Sequence, residues 1–173
     1  MRFLLRPVIC FGLAFLGLPG GLTSPGLAAD SVVVNQYEDW TVYKSKTDNG
    51  DLCFVASTPK DFEPKKVNRG DIFFYVTTWP KFNVTQEVSV KLGYPLDPST
   101  APVVSIGAKN FVMFEKGNRA YIKAKSEGNL LRAMKSGRKM IVRAISKRGT
   151  KTKDVYSLSG VTAALKTAKK SCQ

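Results

Sequence analysis

Apolar residues along this chain recur mostly with a period of two. Val84 to Leu92 shows it most clearly: Val84, Val88, Val90 and Leu92 fall on one side, with Gln86 the polar exception. Thr85, Glu87, Ser89 and Lys91 fall on the other, which predicts a strand with one face to water. Ile72 to Thr78 is almost continuously apolar, aromatic and β-branched, as expected of a central strand, and Trp79-Pro80 stops it. Asp39 to Lys46 alternates again, with Trp40 and Val42 opposite Thr41 and Tyr43. Asp48-Asn49-Gly50-Asp51 is a tight-turn signal, and Leu52 to Ser57 is the returning strand, with Leu52, Phe54 and Ala56 opposite Cys53. Val32 to Val34 opens the series.

The rest of the chain adds short pieces. Pro59 to Gly70 reads as a loop, and Gly93 to Pro102 as a proline-rich connection. Val103–Ile106, Asn110–Glu115 and Ala120–Ala124 are three short strands separated by Gly107 and Gly117-Asn118. At Glu127 to Ser136 the period changes: Leu130, Leu131 and Met134 share a helical face, with Asn129 placed to cap it and Gly137 to stop it. Strands at Met140–Ser146 and Asp154–Leu158 flank a basic turn. A last helix covers Val161 to Lys170, with Ser159 as its cap and Val161, Ala164, Leu165 and Ala168 inward. About nine or ten short strands and two short helices, with no repeat and no βαβ alternation, predict an antiparallel β-sandwich or flattened barrel. Phe73, Phe74, Tyr75, Trp79, Phe111 and Phe114 are expected in its core, and Trp79 and Phe82 are the aromatics best placed for exposure.

The first 29 residues have the form of an export signal: Arg2 and Arg6, an apolar stretch from Val8 to Leu18, then Gly26-Leu27-Ala28-Ala29 as a small-residue cleavage site. Residues 30–173 are then one domain, with no segment long and apolar enough to span a membrane. Of the three cysteines, Cys53 and Cys172 remain after processing. An even count in an oxidising compartment argues for a disulfide. It closes a loop of about 120 residues and contributes about 4–5 kcal/mol in the chain-entropy model.

Charge is unevenly placed. From Arg132 to Gln173 there are twelve basic residues and one acid, Asp154, a net of +11, whereas residues 30–131 carry thirteen basic and twelve acidic residues. Lys147, Arg148, Lys151 and Lys153 crowd the turn, with Arg138, Lys139 and Arg143 on the adjoining strand. Arginine forks and lysine point charges attract phosphate and carboxylate. The expected partners of an exported chain of this kind are an anionic envelope lipid, lipopolysaccharide or a cell-wall polymer rather than nucleic acid. The same lysines also suit a solvated sheet edge defended against aggregation.

The chain has no histidine, which removes Ser-His-Asp and Cys-His catalysis and the commonest transition-metal ligand. Dinucleotide, P-loop and calcium-loop patterns are missing as well. The two S-x-x-K strings, Ser57 to Lys60 and Ser136 to Lys139, sit at a strand end and a helix stop. No catalytic residue, metal site or cofactor is expected. Arg69-Gly70-Asp71 spells the tripeptide that adhesion receptors read in exposed loops, which offers a host-surface protein as an alternative partner. Its simpler reading is a turn at Gly70 into the next strand. A small-ligand carrier using the interior is a further alternative.

Several stretches resemble one family in order and spacing. They are Asp39-Trp40-Thr41-Val42-Tyr43, Gly50-x-x-Cys53 with Ala56-Ser57-x-Pro59, Val88 through Pro95, and Arg148-Gly149-Thr150. The most specific runs from Asp154-x-Tyr156-Ser157-Leu158-Ser159-Gly160 to Ala164-Leu165, followed by Cys172. Together they resemble the invasion-associated locus B (IalB) family over essentially the whole processed chain. The resemblance implies a compact, largely β protein of Gram-negative envelopes, periplasmic or at the outer surface, without known enzymatic activity. Some members carry an extra cysteine four residues after the tryptophan. Here that place is Lys44.

Overall fold

The computed structural model describes residues 31–173; the expected export signal lies outside them. Eleven strands form one antiparallel sheet: β1 (Ser31–Tyr37), β2 (Trp40–Thr47), β3 (Gly50–Ser57), β4 (Asp61–Glu63), β5 (Phe73–Trp79), β6 (Val84–Lys91), β7 (Val103–Ile106), β8 (Lys109–Lys116), β9 (Arg119–Ile122), β10 (Lys139–Ile145) and β11 (Lys151–Ser157). Two helices, α1 (Ala124–Ser136) and α2 (Val161–Ser171), complete the chain. The strand order is β1-β2-β3-β5-β6-β9-β8-β7-β10-β11-β4, so the sheet is open, with β1 and β4 at its edges. Strand β8 turns it: residues 109–112 pair with β7 and residues 113–116 with β9. The two halves then face each other. The Trp40 indole N–H donates to the Ser157 carbonyl at 3.1 Å, and Phe74 meets Tyr156 edge-on at 5.7 Å.

The period-two pattern becomes a cross-strand row. Val42 lies opposite Val55, Val55 opposite Val76, and Val76 opposite Val88. All four are buried. β-Branched side chains suit such rows because they are stiff and fill the pleat. Helix α2 covers β2 and β3 from inside with Val161, Ala164, Leu165 and Ala168. The Cys53–Cys172 disulfide fastens its end to β3. Lys44 sits opposite Cys53, and its ammonium donates to the Ser171 carbonyl at 2.9 Å. It places a cation at the C-terminus of α2, where the helix dipole favours one.

The structure departs from the sequence reading in several places. The Pro59–Gly70 stretch contains β4, which pairs with β11. Helix α1 begins at Ala124, so Asn129 lies inside it rather than at its cap. Gly160, not Ser159, precedes α2: its φ is 85°, and a Cβ there would lie 2.0 Å from the Tyr37 carbonyl oxygen. Ser89 is buried, not solvated. Of the six aromatics expected in the core, only Phe74 is fully buried. Phe73, Tyr75 and Trp79 lie half-buried on the outer face, Phe111 packs against the core margin, and Phe114 is exposed. That outer face forms its own layer: Tyr43 stacks on Phe54 at 4.9 Å, and Arg119 lies over Tyr75 at 4.5 Å. Phe82 is exposed, with Trp79 against it.

Candidate anion-binding cleft and basic face

The hairpin of β10 and β11 decides where the basic block points. Its register sets Met140 opposite Tyr156, Val142 opposite Asp154 and Ala144 opposite Thr152, all six buried. The alternation therefore sends Lys139, Arg143, Lys151 and Lys153 to the outer face. Arg143 lies directly opposite Lys153, a like-charge pair. Glu63 of β4 relieves it with a 3.2 Å contact to Lys153. Arg138 is exposed just before β10, at the end of the hairpin away from the turn, where its carbonyl accepts the Leu158 N–H. Arg138 and Lys139 are thus separated from the turn by the length of a strand, about 20 Å. The seven candidates form two groups rather than one.

The second group is at the turn. The Ser146 N–H donates to the Thr150 carbonyl and the Thr150 N–H to the Ser146 hydroxyl, which closes the turn. The Lys147 N–H donates to the Pro95 carbonyl at 2.9 Å. Leu96 also bridges to Ser146. The turn is held against the Gly93–Pro95 segment, and between them opens a cleft of about 520 Å³. Lys147 and Arg148 stand on one side of it. Lys66, from the loop after β4, stands on another, with Val67, Tyr94 and Pro95 as apolar wall. No acidic side chain lines the cleft among the described residues. Nor has any of its three outer cations an acidic partner within salt-bridge distance there.

A buried ion pair brings the Lys66 loop to this position. Arg69 grips both oxygens of Asp154 at 2.7 and 2.8 Å and also donates to the Leu92 carbonyl at 2.9 Å. Their side chains are 5% and 0% exposed. The guanidinium lies 5.0 Å from the centre of the Tyr94 ring. Burial pushes the Tyr94 hydroxyl up from the usual phenol range, opposed by its hydrogen bond with Thr152. Burial likewise holds Tyr156 well above that range, and its hydroxyl has no partner among the described residues.

This pair redefines the Arg69-Gly70-Asp71 tripeptide. Arg69 is inside, committed to Asp154, and is not available to a receptor. Gly70 does more than turn the chain: its N–H donates to Gly93, whose φ is 77°, and a Cβ on Gly93 would meet the Gly70 oxygen at 2.3 Å. Gly70 and Asp71 are exposed, and the Asp71 carboxylate lies 3.2 Å from Lys91. Sequence reading also missed Lys66 and the partner of Asp154. One signal was present, since a lone acid among twelve cations is best explained by burial beside one of the opposite sign.

Among the described residues no cluster of three or more His, Cys, Asp or Glu could hold a metal ion, and no helix is long and apolar enough to cross a membrane. The cleft presents cation donors, hydroxyls and an apolar wall.

The sequence matches the family model described as invasion associated locus B (IalB) protein over residues 40–169. No curated protein matches the chain. A crystal structure of invasion associated protein B from Bartonella henselae has a similar fold, with a TM-score of 0.54 and 12% identity, over 78% of this chain and 94% of that one. The family match starts at Trp40, ends in α2, and takes in the hairpin, the cleft loops and the buried Arg69–Asp154 pair. The chain belongs to the invasion-associated locus B (IalB) family.

Proposed function

We propose that this family member is a non-enzymatic, exported envelope protein that holds an anionic envelope or host-surface component against the basic surface of its C-terminal hairpin. The observation that carries the reading is the cleft, where Lys66, Lys147 and Arg148 converge from separate segments with no acid among them. Arg143 and Lys151 extend the positive surface over the outer face of the same hairpin. Such a field attracts anions at long range and is screened by salt. The disulfide between Cys53 and Cys172 fits an oxidising compartment.

Binding to anionic phospholipid vesicles across a salt series tests this. Affinity is expected to fall steeply between low and moderate ionic strength. Replacing Lys147, Arg148, Lys151 and Lys153 together by Ser is expected to abolish it. Unchanged binding by that variant would overturn the reading.

A further inference from the structure

We propose that the cleft is a site for the phosphate monoester of a phosphorylated saccharide, held by Lys66, Lys147 and Arg148. The inference rests on the reading that the basic hairpin engages anions, and it names the ligand chemistry of one part of that surface.

Three features select this class. The first is charge. A phosphate monoester carries about −1.5 to −2 near neutral pH, against −1 for a carboxylate. Three cations around one opening, with no acidic partner among the described residues, match the former better. Arg148 can give a planar two-point contact, while the two lysines act as movable point charges.

The second feature is the wall. Val67, Tyr94 and Pro95 give the cleft an apolar side, and about 520 Å³ is far more space than the bare anion fills. An organic body attached to the phosphate would use that side. Asn68 and Thr150 also line the cleft and supply hydrogen-bonding groups suited to sugar hydroxyls.

The third is rigidity. The turn is fixed to Pro95 through Lys147, Gly70 is fixed to Gly93, and Arg69 is fixed to both Asp154 and Leu92. The backbone segments that carry Lys66 and the turn cations therefore hold their spacing before a ligand arrives, and only the side chains remain to be ordered on binding. Arg143 and Lys151 of the outer face line a more open concavity of about 570 Å³, which brings together two cations where the cleft gathers Lys66, Lys147 and Arg148.

Calorimetric titration with glucose 6-phosphate at low salt is the test, using the oxidised, processed chain. Glucose, inorganic phosphate and glucuronate serve as comparison ligands. Two charge-matched variants separate the cleft from the outer face: Lys66→Gln with Arg148→Gln, and Arg143→Gln with Lys151→Gln. All four residues are exposed, and unchanged melting temperatures confirm folding.

The sugar phosphate is expected to bind more tightly than any comparison ligand. The cleft variant is expected to weaken it about tenfold or more, and the outer-face variant less than about twofold. Equal loss in both variants would overturn the site. Inorganic phosphate binding as well as the ester would overturn the saccharide. If anionic phospholipid vesicles bind in a salt-sensitive way while glucose 6-phosphate does not bind, this inference falls and the broader reading stands. Vesicles carrying a phosphorylated disaccharide lipid distinguish the source. Displacement of the protein from them by glucose 6-phosphate points to a lipid headgroup. Binding of glucose 6-phosphate without any binding to those vesicles points to a soluble ester.

Discussion

The inner faces of the two halves of the sheet are built on different physics. In β2, β3, β5 and β6 the inward row is Val42, Val55, Val76 and Val88, with Trp40 and Phe74 beside it, all apolar. In β10 and β11 the inward positions are Met140, Val142 and Ala144 opposite Tyr156, Asp154 and Thr152. The first half is held by area removed from water and would accept many apolar rearrangements. The second half spends one of its buried positions on a carboxylate, and that carboxylate fixes a loop from elsewhere in the chain. The difference teaches where specificity is needed. The polar interior lies beneath the cleft, and it fixes the loop that brings Lys66 to the same opening as Arg148.

The largest effect should come from breaking the polar half. Asp154→Ala leaves the Arg69 guanidinium buried without its partner and is expected to cost about 3–5 kcal/mol in urea unfolding. Arg69→Met combined with Asp154→Leu removes both charges and is expected to recover most of that loss. The double variant should still bind anions less well, because the Lys66 loop loses its anchor. Less than about 1 kcal/mol for Asp154→Ala would show that the pair is not holding the loop.

Removing the disulfide probes the join between the C-terminal helix and the apolar half. Cys53→Ser with Cys172→Ser is expected to cost about 2–4 kcal/mol. Amide exchange should quicken first in α2, whose end the bond fastens. Next in size is a cavity in the valine row. Val55→Ala should cost about 2 kcal/mol, with no effect on vesicle binding, because nothing at the cleft rests on that position.

The apolar half was largely legible in the sequence, because period-two alternation is a local signal. The valines of β6 and the Trp40–Val42 pair announce their faces without knowledge of any partner strand. Strand β4 was not legible. Asp61-Phe62-Glu63 is three residues in a proline-bearing stretch, and only its backbone pairing with β11 makes it a strand. The aromatics of β5 were misassigned for a related reason: a continuous apolar run hides which side is inward, and Phe73 and Tyr75 proved to be the outer set. Lys147 and Arg148 stood out as a charge cluster. Lys66 did not, since it reaches the cleft only through the long-range pair of Arg69 with Asp154. Nothing local to Lys66 encodes that.

The smallest expected effect concerns Glu127 on α1, at the border of the apolar half. Its carboxylate accepts the Val88 N–H at 3.2 Å. Burial pushes its pKa above the usual glutamate range, the Val88 hydrogen bond opposes that shift, and the neighbouring Glu87 charge adds to it. A carboxylate with a raised folded-state pKa makes the fold less stable wherever it is ionised, and that cost disappears as pH falls through the carboxylate range. Glu127→Gln keeps an acceptor for Val88 and removes the charge. The variant is therefore expected to be slightly more stable than the parent at pH 7 and indistinguishable from it near pH 3. Asp39 runs the other way. Its hydrogen bond to Lys60, aided by one to Ser157, lowers its pKa, so Asp39→Asn should lose stability at pH 7 and converge with the parent in acid. Opposite signs from two carboxylates, read in paired urea titrations at the two pH values, would show that the Glu127 shift comes from burial in the apolar half. The same sign from both would make the Glu127 hydrogen bond to Val88 the dominant influence and remove burial from the account.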